Sequence, residues 1–117
     1  MSRRLEIRLG AAGDALDRFE AAWHRVAEGR ALRPLEILSL SDLPSLLRTL
    51  SSARWALLQK LHEEGPLSIY ELAKRLDRDY KNVHTDVTQL AAIRLIERQG
   101  DGRVAVPWEL LRAELKL

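Results

Sequence analysis

Between residues 66 and 106 the chain reads PLSIYELAKRLDRDYKNVHTDVTQLAAIRLIERQGDGRVAV, and this stretch limits the fold more than any other. Ser68 followed by Glu71 predicts a capping box, in which each side chain satisfies an orphan backbone donor at the other's position. Ile69, Leu72, Ala73 and Leu76 then share one face at helical spacing. Asp77-Arg78-Asp79 breaks that pattern, and Asp79 is suited to cap a second helix. In the second helix Val83, Val87, Leu90 and Ala91 form an inward stripe. At about 100° per residue the opposite face carries Lys81, Thr85, Thr88 and Ala92, flanked by Asn82 and Gln89, with Tyr80 and His84 toward its sides.

That outer face combines a cation with amide, hydroxyl and imidazole groups, all able to bond base edges and phosphates in a major groove. An ordinary solvated helix face mixes Glu and Lys, as Lys60 and Glu63-Glu64 do here. Downstream, residues 95–98 and 103–106 are short apolar-alternating runs separated by Gln99-Gly100-Asp101-Gly102, a hairpin signal. Arg98 and Arg103 bracket its tip. Taken alone, a basic hairpin is equally a soluble edge that resists aggregation. Helix, turn, helix and hairpin together form the pattern of a winged helix, and in that company the DNA reading is preferred.

YKNVHTDVTQLAAIRLIER followed by GRVAVPW resembles the recognition helix and wing of small MarR-like winged helix-turn-helix transcriptional regulators, and within them the compact antitoxin-like ones. The resemblance is most specific over residues 50–108. Such proteins usually carry a glycine before the LIER segment, ending the recognition helix in a left-handed conformation. Here Arg94 stands in its place. The resemblance implies a DNA-binding repressor of its own operon, with a cognate toxin protein as a second partner.

The rest of the chain reads as follows. Residues 4–9 alternate strictly, placing Leu5, Ile7 and Leu9 on one side of a strand. Asp14 caps a helix with a Leu16, Phe19, Trp23 and Val26 stripe, closed by Gly29. Pro34 precedes a second strand over residues 35–40, with Leu35, Ile37 and Leu40 candidates for burial. This is a small β-α-β layer, whose strands pair either within one chain or across a dimer. Ser41 or Asp42 caps a short helix with Pro44 in its first turn, where proline is tolerated. Ser51-Ser52 caps another, running to about Glu64, with Trp55, Leu58 and Leu61 inward and Gly65-Pro66 as its stop. The tail from Trp108 reads two ways, as a helical turn or two, or as a short turn and a strand alongside residues 4–9. The second is preferred.

The expected fold class is α+β, a winged helix-turn-helix domain preceded by a small β-α-β layer. Residues 1–50 form the N-terminal layer, for dimerisation or partner binding. Residues 51–107 form the DNA-binding domain, and 108–117 the tail. A chain of 117 residues, 46% hydrophobic, suffices for a real core. With no cysteine, disulfides and thiol catalysis are excluded and a reducing cytoplasm is the natural compartment. No apolar run reaches transmembrane length. The net charge of +2 is a weak nucleic-acid signal by itself. The acids Asp77, Asp79, Asp86, Glu97 and Asp101 are expected to be caps or ion-pair partners turned away from DNA.

His24, His62 and His84 match no metal spacing, and GAAGD lacks the lysine and spacing of a phosphate loop. His62 sits favourably at a helix end, while His84 is either a contact to DNA or a solvated side chain. Neither catalysis nor a cofactor is expected. The expected function is sequence-specific binding of double-stranded DNA as a homodimer. Tyr80, Lys81, Asn82, His84, Thr85, Thr88 and Gln89 supply the groove and phosphate contacts, with Arg98 and Arg103 on the wing. The alternative is a protein-interaction module, an antitoxin that covers its toxin without significant DNA binding.

Overall fold

A computed structural model of the chain describes residues 3–10, 36–115 and 117. The fold is α+β. Its elements run β1 (Arg4–Leu9), β2 (Glu36–Leu40), α1 (Leu43–Thr49), α2 (Ser52–Glu64), α3 (Ile69–Leu76), α4 (Tyr80–Ala92), β3 (Glu97–Arg98), β4 (Val104–Ala105) and β5 (Leu110–Ala113). The helix expected over residues 14–28, with Leu16, Phe19, Trp23 and Val26, lies outside the described residues, as does Leu35.

β1 is the central strand of a three-stranded sheet ordered β2-β1-β5, and it is parallel to both neighbours. Its strict alternation explains the placement. Leu5 and Ile7 are buried, while Glu6 and Arg8 on the other face pair with each other at 2.6 Å. The register sets Leu5 against Glu36 and Leu111, so the layer closes within one chain. The tail takes the strand form, tied at its start by Glu109 N–H donating to the Arg3 carbonyl (2.8 Å). The N-terminal layer is therefore completed by the last strand of the chain.

The helices start where the side-chain oxygens fall. Asp42 accepts from Ser45 N–H at 2.9 Å, Ser51 from Arg54 N–H at 3.4 Å and Asp79 from Asn82 N–H at 3.3 Å. Ser68 accepts from Glu71 N–H at 3.1 Å. The reciprocal half of the expected capping box is replaced by a contact along the helix, because the Glu71 carboxylate lies 4.0 Å from Lys74 Nζ. Gly65 ends α2 with its N–H on the Leu61 carbonyl. A Cβ there would sit 2.5 Å from that carbonyl oxygen, so only glycine fits.

One core joins sheet and helices. Leu57, Leu58 and Leu61 of α2, Leu72 and Ala73 of α3, and Val83, Val87 and Leu90 of α4 meet Leu95, Val104 and Trp108, with Leu5 of β1 in the same cluster. Trp55, expected inward, is instead 43% exposed and Leu57 is fully buried in its stead. Both readings of α2 satisfy a helical stripe. The sequence pattern alone leaves the stripe's rotation ambiguous, and the packing of α3 and α4 decides it.

The exits from α3 and α4 share one device. Asp77 adopts φ 51°, with its own N–H on the Lys74 carbonyl and that of Arg78 on Ala73. Arg94 adopts φ 68°, with its N–H on Ala91 and that of Leu95 on Leu90, the paired bonds of a Schellman ending. Arginine thus fills the left-handed position without glycine, and Trp108 Nε1 donates to its carbonyl at 2.9 Å. A left-handed L-residue costs about 1–2 kcal/mol, partly offset by the greater backbone freedom a glycine loses on folding. Arg94→Gly is therefore expected to stabilise the fold by about 0.5–1 kcal/mol, read as a higher denaturation midpoint in urea at unchanged slope.

After Arg94 the chain turns into the hairpin β3–β4, closed by Gln99 N–H to the Arg103 carbonyl (2.8 Å), with Gly102 at φ 87° in the turn. Its strands are shorter than expected, because Leu95 and Ile96 are buried in the core rather than paired. β4 is held on its other edge too. Leu67, just before α3, exchanges both backbone hydrogen bonds with Val104 (3.1 and 2.8 Å).

Candidate nucleic-acid interface

α4 is about 20 Å long at 1.5 Å per residue, and its thirteen residues divide sharply. Val83, Val87 and Leu90 are buried, while Tyr80, Lys81, Asn82, His84, Thr85, Thr88 and Gln89 are all exposed. The structure therefore brings these seven side chains onto the accessible side of one helix. The rings of Tyr80 and His84 lie 5.9 Å apart at its N-terminal end. Thr85 Oγ1 donates to the Lys81 carbonyl at 3.0 Å, which leaves its lone pairs and its methyl group outward.

Asp86, the one acid in α4, is drawn to the side. Its carboxylate takes Arg54 Nε of α2 at 3.1 Å and Arg78 Nη2, from the α3–α4 turn, at 2.8 Å. The side chains of Asp86, Arg54 and Arg78 are only 16%, 17% and 27% exposed. Arg54 also donates through Nη2 to Gln89 Oε1 and through Nη1 to the Thr49 carbonyl (3.5 Å). Two other acids of this region are occupied as well, whereas Asp77, also expected as a cap or ion-pair partner, is exposed and serves only through its backbone at the end of α3. Asp79 caps α4, and Glu97 lies 3.6 Å from Arg3.

The hairpin arginines differ. Arg98 reaches back to α4, donating from Nη2 to Thr88 Oγ1 at 3.3 Å, so helix and hairpin meet in one surface. Arg103 folds onto its own loop, with backbone N–H and Nε on the Asp101 carboxylate at 3.0 and 2.7 Å. The bond from Arg103 N–H, followed by that from its side chain, holds the Asp101 carboxyl below the usual carboxylate range. Asp101 is thus charged at neutral pH and neutralises Arg103.

Arg54 and Arg78 were not among the residues the sequence singled out. Their partner Asp86 lies 32 and 8 positions away, and no local pattern announces such a pairing. Trp108 is a third such residue: Arg3 stacks 4.6 Å over its ring while its Nε1 fixes the Arg94 carbonyl. Among the described residues no group of three or more His, Cys, Asp or Glu could hold a metal ion, and no helix is long and apolar enough to cross a membrane.

These features define a small α+β domain that presents a polar, acid-free helix face beside a short hairpin, from which Arg98 reaches back to the helix. The chain belongs to the HVO_A0114 family, whose model matches residues 49–113, from the end of α1 through the last strand. No curated protein and no solved structure matches the chain.

Proposed function

We propose that this protein is a winged helix-turn-helix regulator that binds double-stranded DNA sequence-specifically, with α4 in the major groove and the β3–β4 hairpin as its wing. The observation that carries the reading is the outer face of α4, where seven exposed polar or aromatic side chains stand without an acid while Asp86 is turned aside onto two arginines. Further support comes from the order α2, α3, α4, hairpin and from the Leu67 bridge that ties the hairpin to the start of α3. As a homodimer the protein would set two such helices about 34 Å apart, in successive major grooves of a palindromic operator. Occlusion of its own promoter is the regulatory mode. The MarR-like and antitoxin-like resemblance of the α4–hairpin segment agrees with it.

Two variants test the surface. Replacing Thr85 and Thr88 together by alanine removes hydroxyl and methyl contacts to bases. Discrimination between cognate and scrambled duplex falls by roughly tenfold or more, while non-specific affinity is retained. Asp101→Asn frees Arg103 from a fixed negative charge. Affinity for all duplexes rises, and the slope of log K against log salt steepens by about 1. Both are read by fluorescence anisotropy across a salt series. No change in either variant would mean that a different surface meets DNA.

A second reading is favoured by one observation. Among the described residues β5 is an edge strand, paired on one side only, and Leu110 within it and Leu115 and Leu117 beyond it are exposed. That edge suits strand addition by a protein partner such as a toxin, and the two roles are compatible. Co-purification with the product of a neighbouring gene, lost on Leu110→Asp, is the corresponding result.

A further inference from the structure

We propose that Arg54 is a specificity-determining positioning residue, which fixes the Gln89 amide so that Gln89 offers its –NH2 to DNA and selects a base edge bearing acceptors. The inference rests on the reading of α4 as the DNA-reading helix and deepens it.

A guanidinium carries five N–H donors and no acceptor, so the Gln89 atom that faces Arg54 has to be oxygen. The amide nitrogen then points the other way. Arg54 cannot turn to relax this, because its whole fork is engaged. Nε is on Asp86 Oδ1 at 3.1 Å, Nη1 on the Thr49 carbonyl at 3.5 Å and Nη2 on Gln89. Asp86 is itself anchored from the other side by Arg78 Nη2 at 2.8 Å. The Arg54 side chain is 17% exposed, whereas Gln89 lies on the exposed face of α4. A partly buried clamp therefore orients a solvent-facing reader.

An unconstrained glutamine reads adenine with both ends of its amide, accepting from N6 and donating to N7. Here a cation holds the carbonyl oxygen, drawing electron density from it and strengthening the N–H groups as donors. The complementary edge is guanine, with N7 and O6 as adjacent acceptors, and after it thymine O4. Adenine offers a single acceptor, N7, with its N6 donor beside it, and so suits the outward –NH2 less well than guanine.

Selection of bound duplexes from a random pool, with the full-length protein, tests this. The wild type is expected to enrich a motif in which one position per half-site is guanine, or thymine. Gln89→Ala makes that position degenerate and leaves the rest of the motif intact. Gln89→Glu keeps every partner of Arg54 and presents an oxygen outward. Its preference therefore moves to cytosine, the base whose N4 donates, by roughly tenfold. Arg54→Met frees the Gln89 amide and admits adenine at the same position. If loss of the Asp86 pair prevents that variant from folding, Gln89→Glu carries the test alone. Adenine at the Gln89-dependent position of the wild type overturns the inference while the DNA reading stands, as does a Gln89→Glu motif unchanged from wild type. So does a motif indifferent to Gln89→Ala. Failure of the wild type to enrich any motif removes the DNA reading and this inference with it.

Discussion

Replacing Leu90 by alanine is expected to lower the free energy of unfolding by about 3–5 kcal/mol, in the upper part of the range for buried leucines. Leu90 is fully buried at the point where α4 meets the rest of the core, and its carbonyl receives the N–H groups of Leu95 and Ile96 that end the helix. The backbone bonds survive the substitution, so the loss is transfer free energy plus the cavity left behind. Other members of the same core cluster, among them Leu57 of α2 and Leu72 of α3, are fully buried too and leave little freedom to fill it. A domain of this kind has about 5–15 kcal/mol in total, so the variant loses a large share of its stability. Urea denaturation followed by circular dichroism measures the effect. A loss below about 1 kcal/mol would show that α4 is not seated on the core through this residue.

Asp86→Ala is expected to have the second-largest effect, about 2–4 kcal/mol. A fully buried ion pair broken on one side loses about 3–5 kcal/mol and an exposed one about 0–1. Here the three side chains are 16–27% exposed, which places the bridge nearer the buried limit. The substitution leaves two guanidinium groups close together with no counter-charge, and their repulsion adds to the lost hydrogen bonds. The signature separates it from a cavity variant. Added salt screens the Arg54–Arg78 repulsion and recovers part of the loss in Asp86→Ala, but does nothing comparable for Leu90→Ala. Insensitivity to salt would mean that Asp86 contributes by packing alone.

Much of this was legible in the residues, for definite reasons. Ser51, Ser68 and Asp79 are short oxygen-bearing side chains before apolar periodicity, and each became the helix cap that its chemistry suits. The alternation of residues 4–9 placed Leu5 and Ile7 inward, and that of the tail gave a strand parallel to β1. What escaped was long-range or rotational. Trp55 and Leu57 lie two positions apart in α2, on opposite sides of the Leu58 and Leu61 stripe, and which one faces in depends on how α3 and α4 pack. Arg94 takes the left-handed position without glycine, because Trp108 and two backbone bonds hold it there. In the site, the exposed face of α4 followed from helical spacing alone. The grip of Arg54 on Asp86 and Gln89 spans more than thirty residues and could be seen only in the folded chain. Arg103 was expected to be available at the hairpin tip, yet Asp101, two residues before it, holds its side chain.

The most direct test of the DNA reading is a gel-shift titration of the protein on its own upstream DNA, against a scrambled competitor of equal length, at low and at physiological salt. Specific binding is typically at least a thousandfold tighter than non-specific binding. The upstream complex is expected to persist at physiological salt in the presence of excess scrambled duplex. Equal, salt-sensitive binding to both fragments, or no binding to either, would contradict it.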